Sequence, residues 1–406
     1  MKNNRTFLEK LLDGAEVEWK PLKNILIRTK GTKITAAEMK ILHKDNAPLK
    51  IFAGGKTFAL VNFEDIPEKD INKNPSIIVK SRGIIEFEYY DKPFSHKNEM
   101  WSYYSNDKNI NIKYIYYVLK NQEPYFQNLG SKMQMPQIAT PDTDKYLVPI
   151  PPLPVQTKIV KILDALTALT SELTSELTSE LILRRKQYEY YREKLLSFDS
   201  LELSWGGVVQ WIKLIDLGEL IRGNGLQKKD FTETGVPAIH YGQIYTYYGT
   251  FATKTKSFVS PELAKKLKKV DYGDVVITNT SENFEDVGKA MVYLGKEQAV
   301  TGGHATIFKP NHEKILSKYF VYLTQTSFFT NEKRKYAKGT KVIDVSATDM
   351  AKIILPIPPL EEQHRIVSIL DKFETLTNSI TEGLPLAIEQ SQKRYEYYRE
   401  LLLNFS

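Results

Sequence analysis

The longest regular pattern of hydrophobic positions in this chain lies between Val155 and Phe198. Neither glycine nor proline interrupts these 44 residues, and apolar side chains recur every three or four positions. That spacing places side chains on one face of an α-helix. The stripe consists of Ile159, Ile162, Leu166, Leu169, Leu173, Leu177 and Leu181. A continuous helix of this length extends roughly 66 Å, which is too long to be buried within one small domain.

The same segment occurs twice in the chain. Residues 148–198 return as residues 355–405 at a constant offset of 207, with 25 of 51 positions identical, whereas chance agreement is about three at roughly 1 in 20 per position. Each copy begins with Pro-Ile-Pro-Pro-Leu, continues through a glutamine (Gln156 or Gln363) into Ile-Val-x-Ile-Leu-Asp, and closes with Tyr-Glu-Tyr-Tyr-Arg-Glu. The second copy contains Gly383-Leu-Pro385, which predicts the end of one helix and the start of another.

The regions between the repeats have the composition of two α/β globules. In the first, residues 20–147, we expect strands near 49–52, 76–79 and 84–89 and a helix near 112–120. In the second, residues 199–354, we expect strands near 238–240, 274–278, 290–294 and 305–308 and a helix near 316–325. The globules share this plan but differ in most residues, so they are expected to recognise two different targets.

The N-terminal segment, residues 1–19, resembles the end of a repeat. Phe7-Leu-Glu-Lys-Leu-Leu12 is similar to Glu193-Lys-Leu-Leu196, and Val17-Glu-Trp19 precedes the first globule as Leu203-Ser-Trp205 precedes the second. The chain is therefore expected to be a circular arrangement of two halves, with helical segments at 148–198 and 355–406.

Composition adds a weak indication of a polyanionic partner. The 406 residues carry a net charge of +7 and include 24 tyrosines, and the pI is near 9.0. No apolar run approaches the roughly 18 residues of a membrane span. The polar start and the lack of cysteine favour a cytoplasmic protein.

The repeated motifs give the chain a family resemblance over essentially its whole length. The proline turns, the Gln and Ile-Val-x-Ile-Leu-Asp sequence, the three Thr-Ser-Glu-Leu units at 170–181 and the Tyr-Glu-Tyr-Tyr-Arg-Glu endings resemble those of the specificity subunits of type I restriction-modification systems. The Thr-Ser-Glu-Leu run is similar to the tandem four-residue repeat of one subgroup. The resemblance implies an α+β chain with two target recognition domains, each reading half of a bipartite, asymmetric DNA site, separated by two antiparallel helices.

The resemblance also implies partners and cofactors. Two modification subunits would bind S-adenosylmethionine and methylate adenine, and restriction subunits would use ATP and Mg; none of these cofactors is expected on this chain. A helical scaffold joining two protein-interaction domains is the alternative function, and an enzyme with an unrecognised site is another.

Enzyme motifs are missing from the sequence. Ala53-Gly-Gly-Lys-Thr57 is similar to a phosphate-binding loop, but position 50, where that motif requires glycine, is lysine. The six histidines are scattered and there is no cysteine, so no zinc-site spacing is present. We expect no catalytic residue and no metal site.

Candidate DNA contacts come from basic and polar residues near turns. Lys132, Lys338 and Lys341 lie beside glycine in Gly-Ser-Lys and Lys-Gly-Thr-Lys sequences, which suits phosphate contact. His240, Tyr241 and Gln243 follow a predicted strand, where a glutamine can pair with adenine, although a satisfied turn is an equally good interpretation. Further basic candidates are Lys56, Lys80, Arg82 and Arg222. The run Lys265 to Lys269 follows a helix-start sequence and favours a solvated helix face.

The aromatic endings of the repeats are candidates for docking partner subunits. They carry Tyr188, Tyr191 and Arg192 in the first copy and Tyr395, Tyr398 and Arg399 in the second. Tyrosine and arginine are enriched in protein interfaces. A seam between two helices explains the tyrosines equally well.

Overall fold

The computed structural model describes residues 6–131, 135–205, 208–379 and 382–405. The chain divides into two compact units, one comprising Met1–Ser175 with Glu389–Ser406 and the other Glu176–Ile388. Each contains a globular domain and parts of the repeated helical segments.

The globular part of the first unit is built from short strands and helices. The strands are β1 (Glu18–Pro21), β2 (Ile27–Arg28), β3 (Leu49–Phe52), β4 (Phe58–Val61), β5 (Ser76–Lys80), β6 (Glu86–Tyr90), β7 (Phe94–His96), β8 (Trp101–Tyr104) and β9 (Leu147–Ile150). The helices are α1 (Phe7–Leu12), α2 (Leu22–Ile25), α3 (Ala36–Leu42), α4 (Ile112–Asn121), α5 (Glu123–Gly130) and α6 (Thr140–Asp144), with 3-10 turns at Phe63–Asp65 and Glu68–Asp70.

Two sheets and one helix form the core of this domain. The sheet orders are β2-β8-β5-β6 and β4-β3-β7. All five residues of β5 are buried, as expected for a central strand covered on both faces. Helix α4 packs its buried Tyr114, Ile115 and Val118 into the same cluster as Ile77 and Val79 of β5.

A long helix, α7 (Leu153–Leu195), follows β9. Its 43 residues include all three Thr-Ser-Glu-Leu units without a break. The predicted helix at 155–198 is thus displaced by two or three residues at each end. The four-residue repeat is helical although serine and threonine are modest helix formers, and within it Leu173 is exposed while Leu177 and Leu181 are half-buried.

The second unit contains more strands. They are β10 (Gln210–Lys213), β11 (Gly218–Arg222), β12 (Phe231–Thr232), β13 (Val236–Ile239), β14 (Phe251–Ala252), β15 (Ser257–Val259), β16 (Lys268–Val270), β17 (Val275–Thr278), β18 (Thr280–Ser281), β19 (Ala290–Tyr293), β20 (Ala299–Thr301), β21 (Ala305–Pro310), β22 (Ile343–Asp344) and β23 (Ile354–Ile357). The helices are α8 (Phe198–Trp205), α9 (Tyr241–Thr246), α10 (Pro261–Ala264), α11 (Ser317–Thr324), α12 (Ser327–Arg334), α13 (Ala347–Met350) and α14 (Leu360–Asn378), with 3-10 turns at Leu214–Leu217 and Lys228–Asp230.

The last helix is α15 (Gly383–Leu403), which the chain enters after α14. Gly383 has φ +83°, and a Cβ there would lie 2.6 Å from the Thr375 carbonyl oxygen and 2.8 Å from that of Leu376. The left-handed conformation and the close approach both require glycine at this position.

The two globular domains have the same strand topology. The main sheet of the second, β11-β21-β17-β19-β14, repeats the order β2-β8-β5-β6 and adds one strand, while β13 pairs in parallel with β20 as β3 does with β7. Each unit also has a two-stranded ribbon, β1 with β9 and β10 with β23, that leads into α7 or α14. The prediction of an α+β chain with two α/β domains of one plan is confirmed.

Two sequence predictions were wrong in this region. Helix α10 ends at Ala264, and Lys268 and Lys269 lie in β16, so the lysine run is not a helix face. The counterpart of Trp19 is Trp211 instead of Trp205, because Trp19 is paired with Pro149 and Trp211 with the equivalent Pro356. The shared pattern Val-x-Trp-x-x-Leu at 17–22 and 209–214 carries that match.

Candidate functional site

The proline turn and the glutamine of the first repeat, which recur in the second, attach the first domain to α7. The Gln156 side chain is fully buried. Its Oε1 accepts a hydrogen bond from the Asn111 amide at 2.9 Å, and its Nε2 donates to the carbonyls of Asn109 (3.0 Å) and Pro151 (2.8 Å). Tyr114 of α4 donates its hydroxyl proton to the Pro149 carbonyl at 2.9 Å. The start of α4 is thereby fixed to the start of α7.

About two helical turns further along α7, Asp164 makes a second attachment. It pairs with Lys113 at 2.8 Å and accepts a hydrogen bond from the Tyr117 hydroxyl at 2.6 Å. Burial, together with that hydrogen bond to a carboxylate, raises the pKa of Tyr117. Tyr117 therefore remains the donor to Asp164 at neutral pH.

The second unit repeats these contacts with the equivalent residues. Gln363, also fully buried, accepts from the Leu316 amide and donates to the carbonyls of Lys314 and Pro358, each at 2.9 Å. Asp371 pairs with Lys318 at 2.6 Å and accepts from Tyr322 at 2.6 Å. We call each set of contacts a joint, the first around Gln156 and Asp164 and the second around Gln363 and Asp371.

The joints account for a similarity between the two otherwise different globules. Lys113-Tyr114 and Lys318-Tyr319 are among the few similarities between the globules, and both pairs lie in a joint. Among the side chains of the repeats that form the joints, one difference changes the contacts. Thr167 of the first repeat is replaced by Glu374, which accepts from Tyr322 at 2.8 Å and from the Thr250 amide at 3.1 Å.

The aromatic endings of the repeats make contacts inside each unit. Tyr188 is only 7% exposed, and the Arg192 guanidinium lies 5.2 Å from its ring centre and donates to Gln325 at 3.2 Å. Burial raises the pKa of Tyr188 to about 12. These contacts favour the interpretation of Tyr188 as part of a helix seam.

The second ending behaves similarly in the first unit. The Arg399 guanidinium lies 5.4 Å from the Tyr395 ring centre and donates to Asn121 at 3.1 Å, and Tyr395 accepts a hydrogen bond from Thr167 at 3.1 Å. Tyr191 and Tyr398 are 41% and 42% exposed. They are the members of the predicted docking set that present the most ring surface to a partner.

The basic candidates of the first domain separate into exposed and internal residues. Lys56 lies in the exposed turn between β3 and β4, and Arg82 is exposed just after β5. Lys80, in contrast, is 8% exposed and pairs with Glu88 at 2.9 Å and Glu86 at 3.4 Å. Burial opposes its charge, but the two carboxylates prevail and raise its pKa. Two carboxylates within the sheet thus balance the charge of Lys80. The prediction that Lys80 contacts a DNA phosphate is not supported. Lys132 lies outside the described residues.

In the second domain, the Lys-Gly-Thr-Lys sequence forms a turn after α12. Gly339 has φ +101°, and a Cβ there would clash with the Val342 carbonyl oxygen. Lys338 is exposed but pairs with Asp349 at 2.9 Å, and hydrogen bonds from Lys352, Lys338 and Ser346 lower the pKa of Asp349. Lys341 is exposed and has no ion-pair partner in the part of the chain that the structure describes.

His240, Tyr241 and Gln243 lie at the start of α9, where Gln243 has a structural role. His240 is the N-cap, and its Nδ1 accepts a hydrogen bond from the Gly242 amide at 3.2 Å. The Gln243 Oε1 accepts from the His240 amide at 3.4 Å, and its Nε2 donates to Ser257 at 2.6 Å. The Gln243 Oε1 is engaged in this capping box, and its Nε2 is engaged with Ser257. Gln243 therefore has no free pair of groups to bind adenine, and the predicted adenine contact is not supported.

Three aromatic rings form a cluster at the start of α9. One of them belongs to His304, which was not among the predicted site residues. The Tyr241 ring centre lies 4.5 Å from that of His240 and 5.0 Å from that of His304. Burial, followed by the charges of His304 and Lys228, lowers the pKa of His240. Arg222 donates to the Gly303 carbonyl at 3.0 Å beside them. The sequence feature that could have identified His304 is Gly302-Gly303-His304, a glycine turn directly before a predicted strand.

Residues 6–131, 135–205, 208–379 and 382–405 contain no group of three or more His, Cys, Asp or Glu side chains arranged to hold a metal ion. None of the helices within these ranges is long and apolar enough to cross a membrane.

Comparison with known proteins gives consistent matches. The family model described as type I restriction modification DNA specificity domain matches residues 16–182 and 209–390. A Haemophilus influenzae protein described as a type I restriction enzyme specificity subunit is 38% identical over 421 residues, covering 100% of both chains. The specificity subunit of the Escherichia coli type I restriction enzyme EcoR124I/EcoR124II is 33% identical, covering 98% of this chain and 97% of its own.

Two solved structures share the fold. A chain from a study of complex assembly and conformational transition of the type I restriction-modification system aligns over 96% of this chain and 98% of its own, with a TM-score of 0.64 and 15% identity. The HsdS subunit of Thermoanaerobacter tengcongensis aligns over 96% of this chain and 95% of its own, with a TM-score of 0.53 and 16% identity.

Proposed function

Because this chain belongs to the type I restriction-modification DNA specificity family, we propose that it is the DNA-binding specificity subunit of such a system. In this role it binds one bipartite, asymmetric DNA sequence and assembles modification and restriction subunits on it. It carries no catalytic site of its own. Each globular domain binds one half of the site.

One observation carries the proposal of two different half-sites. The two domains have the same strand order and are attached to α7 and α14 by the same joint, yet most of their other residues differ. Sequence is read by side chains on base edges, so two domains of one architecture with different exposed side chains suit two different half-sites.

We assign the DNA backbone contacts to exposed cations. These are Lys56 and Arg82 in the first domain and Arg222, Lys338 and Lys341 in the second. Lys132, which lies outside the described residues, is kept as a candidate on its sequence alone. Neutralising phosphates with such side chains supplies much of the affinity and makes it depend on salt. Lys338 must exchange its Asp349 partner for a phosphate, so Lys341 is the better contact of that pair.

The partners of the chain in this role are double-stranded DNA, two modification subunits and restriction subunits, in the cytoplasm. The modification subunits supply S-adenosylmethionine and methylate adenine, and the restriction subunits supply ATP and Mg chemistry. The exposed rings of Tyr191 and Tyr398 lie at equivalent positions of the two repeats, which fits two copies of one docking partner.

The Thr-Ser-Glu-Leu repeat acts in this proposal as a spacer. Each unit adds four helical residues, which is about 6 Å of rise and about 40° of rotation beyond a full turn. The three Thr-Ser-Glu-Leu repeats all lie within α7, which is one continuous helix. The number of these repeats would therefore set how far apart on the DNA the two half-sites lie.

The proposal is tested by binding of the purified chain, alone and with its modification subunits, to duplex DNA at increasing salt. We expect affinity to fall steeply with salt, with an additional component for one bipartite sequence. Binding that is absent or insensitive to salt would favour the protein-interaction scaffold. Catalytic turnover by the isolated chain would favour an enzyme.

A further inference from the structure

One turn occupies the same place in both domains. Residues 97–100 connect β7 to β8, and residues 302–304 connect β20 to β21. In each case the preceding strand pairs in parallel with a strand of one sheet, and the following strand pairs antiparallel with a strand of the other sheet. The chain therefore crosses between the two sheets at this turn, which we call the crossing turn.

The crossing turn rests on a glycine loop in both domains. A Cβ on Gly31, which follows β2, would clash with the His96 carbonyl oxygen, and a Cβ on Gly223, which follows β11, would clash with that of Gly302. The backbones approach too closely for any side chain. The position of the turn is thus fixed by packing against its neighbour, as a recognition element requires.

The two crossing turns present different hydrogen-bonding groups. His304 is exposed, and its Nδ1 is held by the Thr280 hydroxyl at 2.9 Å. Its Nε2 has no hydrogen-bond partner among the described residues. In the first domain, Asn98 is exposed between Lys97 and Glu99, which pair with each other at 2.6 Å. The Asn98 amide has no partner within the described ranges.

Positive charge surrounds the crossing turn of the second domain. The Asn224 side chain ties the loop after β11 to the segment after α10, by accepting from the Lys268 amide and donating to the Lys266 carbonyl at 2.9 Å each. Exposed cations on these segments have no ion-pair partner in the described part of the chain: Arg222, Lys228, Lys229, Lys265, Lys266 and Lys268. The His304 imidazole thus stands within a surface suited to a polyanion.

The crossing turn of the first domain has both basic and acidic neighbours. Asn98 lines a cavity of about 580 Å³ together with Lys30, Lys69, Asp70 and Glu99. Both lysines are exposed and without an ion-pair partner among the residues described.

We propose that the crossing turn reads a base pair in each half-site, through Asn98 in the first domain and His304 in the second. This inference rests on the proposed DNA-binding function. The amide of an asparagine matches the N6 and N7 edge of adenine, and an imidazole N–H donates to acceptors such as N7 and O6 of guanine. Different groups at one place of a shared fold make the two half-sites different.

The experiment uses the full chain assembled with its modification subunits and maps methylation on a DNA library with every position randomised in turn. The variants are Asn98→Ala and His304→Ala, with His312→Ala as the matched control. His312 is also an exposed histidine, but it follows the far end of β21, roughly 20 Å away for six strand residues.

We expect each variant to relax selectivity at one or two adjacent positions of a single half-site, a different half-site for each. A good base contact corresponds to roughly 5- to 150-fold discrimination, which should fall below about 3-fold at that position. His312→Ala should keep the wild-type pattern. Both altered side chains are exposed, so the thermal midpoints should stay within a few degrees of wild type.

The results that overturn the inference are distinct from failure of the proposed function. Unchanged selectivity in both variants, or a uniform loss at all positions, would assign the crossing turn no role in base reading. If His304→Ala fails to assemble, His304→Gln supplies the same test, because it retains a hydrogen-bonding group but changes its geometry. A wild-type complex that methylates no specific sequence would instead refute the proposed function.

Discussion

The joint of the second unit makes a quantitative prediction at Gln363. Replacing this buried glutamine by alanine removes three hydrogen bonds of 2.9 Å, to the Leu316 amide and to the carbonyls of Lys314 and Pro358. Each such bond contributes about 1 kcal/mol net, and a buried group left without a partner costs about 1–3 kcal/mol. We expect the start of α11 to lose about 3 kcal/mol of local stability.

Hydrogen–deuterium exchange of the full chain measures this loss where it occurs. A loss of about 3 kcal/mol corresponds to roughly 100-fold faster opening, read from peptides that contain the Leu316 amide. Gln156→Ala should do the same at the Asn111 amide, because it makes the equivalent contacts. Gln392→Ala is the control, since that side chain is exposed and, among the residues that the structure describes, hydrogen-bonds only to Glu396 on the same helix. Protection at Leu316 within threefold of wild type would refute the account of the joint.

Three other outcomes test the spacer, the backbone contacts and a buried charge. Deleting one repeat unit, residues 174–177, removes about 6 Å of helix and should shorten the unspecified DNA spacer by about one base pair at ~3.4 Å per pair if the helix lies oblique to the DNA. An unchanged spacer in methylation mapping would contradict the spacer role. Lys341→Ala should weaken binding equally on all sequences and reduce the salt slope by about 1, whereas a base-selective loss would exclude a phosphate role. Burial lowers the pKa of Lys333 from 10.5 to about 8, so the folded chain releases this proton before the unfolded chain does, and folding becomes more favourable as pH rises above 8. Urea midpoints at pH 7.5 and 9.5 should therefore increase more for wild type than for Lys333→Met, and parallel changes would contradict the buried charge.

Hydrophobic pattern and repetition predicted the long repeated helices and several strands of the sheets, whereas many of the shorter elements were not predicted. The strand expected at 49–52 is β3, the helix expected at 112–120 differs from α4 by one residue at its end, and the helix expected at 316–325 differs from α11 by one residue at each end. Runs of apolar residues bounded by turn residues determine such elements locally. The helix predicted for the lysines at 265–269 is absent because the helix that Ser260 caps has only one turn. Pairing with β20 then takes the chain into β16.

Site residues depend on partners that are distant in sequence, and the sequence did not reveal those partners. Gln156 and Asp164 were visible as repeated residues, but Asn111 and Lys113, which they contact, lie 45 and 51 positions away. Lys80 looks like an exposed cation until β6 places Glu88 beside it. A residue's availability for DNA is therefore a property of the folded neighbourhood.

Single-molecule mapping of methylated bases in DNA modified by the assembled complex tests the central claim most directly. The claim predicts one bipartite motif with two different half-sites and a spacer of fixed length. A palindromic motif, or methylation without any specific sequence, would contradict it.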